Sequence, residues 1–403
     1  MDYTLIDHTT TEWPAVVDAL YEQLTHCVAE TVPQHFVKTT FVKMGGRLLT
    51  CTEGGELRGL GLLFPRAADA DRRVYTLRLQ QLGPLPPLVE LQTAVEAMLA
   101  PAKVIAYRPA EAQSYPASAD EFGGFAIGQP SLREVEEAQR VYSEIWGVAE
   151  NAGYPNDLYS AEFAPGTALV ARSEGAVVGF LLGFRRFGLS ALEQLGLPLQ
   201  LSLGIESQIM GVAPTQRRSG LAATLKRVQA RQALAEGIDL IHWTADPLQF
   251  PNAVLNFARL RAVAGEFYAA YYPVQNALNR VAASRLGIAW LPRTARGAQG
   301  LNEGGRGTDL DLARYPGCVR LNDGPTALAE ANGARWIAVE IPADWTAMQR
   351  DAPDEAALWR SATDALFARY LGYSDGAYVV IDAATDGSRR YLVAERFSME
   401  LFS

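Results

Sequence analysis

Residues Val212 to Ala222, which read V-A-P-T-Q-R-R-S-G-L-A, carry the clearest chemistry in this chain. An apolar strand ending in Val-x-Pro, followed by Arg-x-x-Gly-x-Ala at the opening of a helix, is suited to holding a diphosphate. Successive backbone N–H groups and the positive end of the helix dipole face the same anion. Gly220 lets the backbone close on the phosphates without a side chain in the way, and Ala222 keeps the first helical turn small. Arg217 and Arg218 add positive charge, and Ser219 and Leu221 complete the run. An ordinary strand-to-helix turn has the same outline, so the surrounding elements decide between the two.

Those elements follow a definite order. Ser131 and Glu134 form a capping-box pattern ahead of Val135, Ala138, Val141, Tyr142 and Ile145 at helical spacing, which predicts an amphipathic helix over 131–147. Segments 167–173 and 176–186 predict two strands joined at Glu174-Gly175, and 201–214 a third strand. The loop then leads into a helix over 221–237 ended by Gly237, a buried strand at 238–246, a shorter helix at 252–262 and a strand and turn at 265–280. Residues 1–125 repeat this order more faintly, with helices near 12–30 and 88–99 and strands at 47–51, 57–64, 74–82 and 103–107. Where the phosphate loop of that fainter copy would stand, the chain reads LGPLPPLVE. Its prolines remove backbone donors, so this copy is expected to bind no coenzyme and to serve as a packing or dimer partner.

Together these features resemble the GCN5-related N-acetyltransferase (GNAT) superfamily, whose pyrophosphate signature is Gln/Arg-x-x-Gly-x-Gly/Ala. The resemblance covers roughly residues 130 to 290. It implies an α/β (α+β) GNAT fold with a mixed, splayed central sheet, here a tandem of one intact and one degenerate unit. The expected boundaries are 1–125 for the degenerate unit, 126–291 for the acyltransferase, 292–310 for a Gly-rich mobile linker, and 311–403 for a C-terminal α/β piece that completes the N-terminal unit. By the same resemblance, Met210, Gly211 and Val212 bind the pantetheine arm through the backbone, and one of their N–H groups polarises the thioester carbonyl. The segment Trp243-Thr244-Ala245-Asp246-Pro247-Leu248, with Asn252, Asn256 and the Tyr271-Tyr272 pair, is similar to a less studied GNAT group that includes proteins thought to acylate amino acids. This adds Asn252 and Asn256 to the expected coenzyme contacts.

Attack of an amine on a thioester needs a neutral amine, a stabilised oxyanion and, less strictly, a proton for the departing thiolate. Glu206, on the strand that faces the coenzyme, is the expected base, unless it simply meets solvent at the splay. Gln208 lies on the same face by period two and is expected to orient substrate or water. His242 reads as a substrate contact or a hydrogen-bonded structural histidine. Asp246 either binds the substrate ammonium or caps the next turn. Where many family members place a Tyr acid, this chain has Phe257, so Tyr271 and Tyr272, with Tyr268 near them, are the substitutes unless they only pack. Arg185 and Arg186 are a fork for a carboxylate or solvated surface charge.

Composition narrows the partners. With 403 residues, 49% hydrophobic and 20% charged, the chain has material for two or three cores. A formal charge of -9 argues against a nucleic-acid partner. Cys27, Cys51 and Cys318 show no metal or disulfide spacing, no apolar run reaches bilayer length, and no export signal is evident, which predicts a cytoplasmic, metal-free protein without membrane partners. The expected activity moves an acetyl or succinyl-type group from coenzyme A, a co-substrate and not a permanently bound cofactor, to the amine of a small molecule, an amino acid in the first instance. The alternatives are a protein N-acetyltransferase and a non-catalytic coenzyme A sensor or scaffold, and a homodimer is compatible with each.

Overall fold

The computed structural model describes residues 1–403 except 7–11, 25–30, 70–71, 150–152, 189, 273–280, 303–308 and 403. It is a mixed α/β protein in two compact units, one of residues 1–193 and 200–233, the other of 194–199 and 234–403. This division falls inside 126–291 and not at either end of that segment.

The first unit opens with β1 (Asp2–Ile6), α1 (Trp13–Glu22), α2 (Gln34–Phe36, continued as a π-helix over Val37–Phe41), β2 (Arg47–Glu53), β3 (Glu56–Asp69), β4 (Arg72–Gln81), α3 (Leu88–Leu99) and β5 (Lys103–Tyr107). The strands form a sheet in chain order, antiparallel except for the β4–β5 pair, whose parallel register requires the α3 crossover. There follow β6 (Asp120–Phe122), β7 (Phe125–Gly128), α4 (Leu132–Trp146), β8 (Thr167–Ser173), β9 (Ala176–Phe187), the single turn α5 (Ser190–Glu193), β10 (Leu203–Val212) and α6 (Leu221–Ala235). Strands β10-β9-β8-β7-β6 pair antiparallel in that order. The helix α4 starts where its capping box predicts, with Ser131 and Glu134 bonded reciprocally and Gly147 closing the helix at φ 64. The β8–β9 turn places Glu174 at φ 52 and Gly175 at φ 79, as a two-residue hairpin turn requires.

One aromatic core explains why residues 1–125 do not stand apart. Phe64 of β3 has ring centroids of Phe41, Phe163 and Phe184 at 4.9, 4.9 and 5.4 Å, so the N-terminal sheet and β9 share a core. A buried ion pair reinforces it. Arg78 of β4 donates through Nε and Nη2 to both oxygens of Asp157, at 2.7 and 2.9 Å, and the Tyr107 hydroxyl donates to the same carboxylate at 2.6 Å.

The second unit contains β11 (Ile241–Ala245), α7 (Phe250–Ala253, continued as a π-helix over Val254–Arg259), β12 (Val263–Tyr272), β13 (Ala283–Trp290) and α8 (Ala295–Leu301). The short strands β14 (Val319–Arg320), β15 (Asn322–Asp323) and β16 (Thr326–Ala327) precede β17 (Trp336–Ile341), α9 (Trp345–Asp351), α10 (Pro353–Tyr370), β18 (Tyr378–Asp386) and β19 (Arg389–Arg396). Its main strands run β14-β17-β19-β18-β12-β13-β11. The C-terminal piece therefore does not complete the N-terminal sheet. Its β18 pairs with β12 through Ala264 and Val380, and Phe367 of α10 packs on Phe267 at 5.6 Å.

The expected linker is also revised. Residues 295–301 are a helix whose N-cap Thr294 accepts a bond from the Gly297 N–H. Any Cβ at Gly297 or Gly300 would collide with the carbonyl oxygens of Leu291 or Leu260, so these glycines serve close packing and not flexibility. The rest of the expected linker, 303–308, lies outside the described residues.

Candidate functional site

The loop between β10 and α6 begins with a turn of 3-10 helix over Pro214–Gln216, in which the Gln216 N–H bonds to the Ala213 carbonyl at 2.9 Å. The chain then reverses. Arg218 takes φ 68 and Gly220 φ 90, both in the left-handed region, and a Cβ built on Gly220 meets nothing within 4 Å. The Ser219 hydroxyl donates to the Gln216 carbonyl at 2.7 Å and accepts from the Leu221 N–H at 3.3 Å. The N–H groups of Arg218, Gly220, Ala222 and Ala223 find no acceptor among the described residues. Arg217 and Arg218 are exposed and form no ion pair among those residues. Four donors at the start of a 15-residue helix, two unpaired guanidiniums and open space over Gly220 fit a diphosphate.

Upstream of the loop, β10 is irregular. Glu206 pairs with Phe184 and Ile209 with Leu182, so one extra residue is accommodated between them as a β-bulge. The bulge breaks the period-two relation expected between Glu206 and Gln208. Gln208 instead donates to the Tyr154 hydroxyl at 2.7 Å. Glu206 is buried, accepts from Arg186 Nη1 at 2.7 Å and lies in the field of Lys226 from α6, itself buried. Burial pulls the Lys226 ammonium down to about 7, with Glu206 opposing the shift. Glu206 is thus neither at solvent nor a lone base, and Arg186 is an internal counter-ion and not surface charge. Arg185 reaches the Ala164 carbonyl at 3.4 Å.

The backbone of β10 divides its donors. The Ala213 N–H bonds to Val178 of β9 at 2.9 Å, so by alternation the Gly211 N–H also turns to β9, whereas those of Met210 and Val212 turn away from it. Gly211 has a packing reason as well, because a Cβ there would lie 2.5 Å from Phe180 Cε1. Of the three backbone contacts expected, Met210 and Val212 have the required direction and Gly211 does not.

The remaining expected residues belong to the second unit. His242 of β11 is buried, with Nε2 3.5 Å from Glu266 Oε2 of β12. Asp246 is buried and engaged through both oxygens. Its Oδ1 accepts from the Leu248 N–H at 2.9 Å, which is the turn-capping alternative, and its Oδ2 accepts from Arg360 Nη2 of α10 at 2.7 Å. An aspartate so occupied is not placed to take a substrate ammonium. Asn252 is exposed, Asn256 is buried, and the Asn256 carbonyl accepts from the Ala262 N–H at 3.0 Å. Phe257 is a core side chain at 1% exposure. The Tyr271 ring is buried 5.5 Å from that of Tyr268, and the Tyr272 side chain lies outside the described residues.

Sequence reasoning did not identify Lys226, Arg360, Glu266 or Tyr154. For Lys226 a signal was available, since it lies three and four positions from Ala223 and Ala230, two small residues of the buried side of α6. Arg360 had none, because its partner is 114 positions away.

The loop 82–87 between β4 and α3, the expected place of a second phosphate loop, differs in its donors. The N–H groups of Leu82 and Gly83 bond to the Arg58 carbonyl at 2.8 and 2.9 Å, and Pro84, Pro86 and Pro87 have none to give. Among the described residues no group of three or more His, Cys, Asp or Glu side chains is arranged to hold a metal, and no helix is long and apolar enough to cross a membrane.

No protein-family model and no curated protein matches the chain. Solved structures do match part of it. A diaminobutyrate acetyltransferase from Paenibacillus lautus, in complex with L-2,4-diaminobutyric acid and coenzyme A, is 18% identical over 43% of this chain and 95% of its own, with a TM-score of 0.31. The NAA60 protein of Arabidopsis thaliana, bound to a bisubstrate analogue, is 12% identical over 41% and 97%, with a TM-score of 0.34. The ribosomal-protein-S18-alanine N-acetyltransferase of Escherichia coli is 13% identical over 41% and 92%, with a TM-score of 0.29.

Proposed function

We propose that this chain is a GNAT-type acyltransferase that moves an acetyl or succinyl-type group from coenzyme A to the amine of a small molecule, an amino acid in the first instance. The observation that carries the reading is the loop from Arg217 to Ala223, with four N–H groups and two arginines that find no partner among the described residues and an open Gly220. In this reading the loop takes the coenzyme diphosphate, and the N–H groups of Met210 and Val212 that turn away from β9 bind the pantetheine arm and polarise the thioester carbonyl. The amine nitrogen attacks that carbonyl carbon, the C–S bond breaks as the tetrahedral oxyanion collapses, and the proton lost by nitrogen leaves with the thiol.

Rate then derives mainly from holding the two reactants in line and stabilising the oxyanion. Glu206 acts within a charged set with Arg186 and Lys226 and not as an isolated base, because its carboxylate is already engaged by the Arg186 guanidinium. The same pairing, with Phe257 in place of a tyrosine acid, supports a second reading in which coenzyme A is bound and not turned over.

The test is thiol release from acetyl- and succinyl-coenzyme A in the presence of an amino-acid pool. Amine-dependent release that disappears in Arg217→Ala and Gly220→Val establishes the transferase and its donor. Tight coenzyme binding with no release across the pool selects the second reading.

A further inference from the structure

A cavity of about 550 Å³ opens in the first unit, lined by Arg47, Arg72 and Arg73 with Tyr75, Glu193 and Ser202, over a floor supplied mainly by the 98–102 segment. Its volume lies within the usual range for small-molecule sites. It shares no residue with the coenzyme loop. It lies at the first residues of β4, whereas the proline-rich loop 82–87 follows the last residue of that strand.

The charge at this cavity is unusual for the chain. Among the described side chains that line it are three arginines and one carboxylate, in a protein of formal charge -9, and none of the three arginines forms an ion pair with a described side chain. Arg73 is held in place, its Cζ 5.1 Å from the centre of the Phe187 ring, which meets Tyr75 edge-on at 5.2 Å. Stacking on an aromatic face fixes the plane of a guanidinium while leaving its N–H edge to bond elsewhere. Arginines gathered around one cavity suit the oxygens of a phosphate, which accept paired bonds from the planar fork. Beside them, Ser202 and Glu193 offer partners for hydroxyl groups, and Met98, Leu99 and Pro101 offer apolar surface.

We infer that this cavity is a binding site for a phosphomonoester carrying a hydroxylated organic group, of the size of a nucleoside monophosphate or sugar phosphate. The arginines take the phosphate, and the Glu193 and Ser202 side takes the hydroxyls. The site is separate from the coenzyme loop and does not depend on the activity proposed for it.

Calorimetric titration of the full chain with ribose 5-phosphate and with glucose 6-phosphate tests this. Saturable binding of at least one probe is expected, weakened at least about tenfold by Arg72→Glu with Arg73→Glu and left within about twofold by Arg217→Glu with Arg218→Glu. The exposed Arg47→Ala variant gives a milder loss and guards against misfolding of the double variant, which circular dichroism checks. No saturable binding at millimolar probe, equal binding by the Arg72/Arg73 variant, or loss in the Arg217/Arg218 variant alone would each overturn the inference.

Discussion

Asp246 and Arg360 stand 114 positions apart in the chain and 2.7 Å apart in the second unit, both buried. The guanidinium also lies over the Trp345 ring, with Cζ 4.9 Å from its centre. The aspartate that ends the Trp-Thr-x-Asp-Pro-Leu segment is therefore a structural tie to the C-terminal helix α10.

Breaking the tie from one side leaves an uncompensated buried charge. Arg360→Leu is expected to lower unfolding stability by about 3 to 5 kcal/mol in urea titrations. Adding Asp246→Leu to it is expected to cost less than the sum of the two single changes, since the pair then leaves together. Strict additivity would mean that the two side chains do not interact.

Lys226 gives a pH signature. Its ammonium ionises near 7 in the fold and near its ordinary value in the unfolded chain, so between these limits the unfolded state binds more protons. Stability therefore rises with pH from about 7 to about 10.5, by at most about 1.4 kcal/mol per pH unit from this group. Lys226→Met is expected to flatten that rise, as measured by urea unfolding at a series of pH values, and an unchanged slope would assign it to other groups.

Gly211 and Gly220 are expected to fail differently. At Gly211 a Cβ runs into Phe180 and Ile145, so Gly211→Ala destabilises by about 1 to 3 kcal/mol through overpacking. At Gly220 the space is open and only the positive φ resists, so Gly220→Ala costs about 1 kcal/mol and acts mainly on coenzyme affinity. Thermal melts paired with coenzyme titration separate the two.

The contrast between these residues shows what the sequence made legible. Local features read well. The capping box of α4, the Glu174-Gly175 hairpin, the helix over 88–99 and the strand over 103–107 all stand where their patterns placed them, because each is decided within a few residues. What failed was long-range. The Phe64 cluster that merges 1–125 with β9, the β18–β12 pairing and the Arg186–Glu206 pair leave no periodic trace, and the glycines at 297 and 300 suggest flexibility until the carbonyls they pack on are seen. The bulge in β10 likewise hid in an unbroken strand pattern and moved Gln208 off the face of Glu206.

Calorimetric titration of coenzyme A into the wild-type chain and into Arg217→Ala with Arg218→Ala tests the central claim most directly. One coenzyme per chain at about micromolar affinity is expected, weakened at least about tenfold in the variant as two phosphate contacts are lost. Absence of binding to the wild type, or equal affinity in the variant, would contradict it.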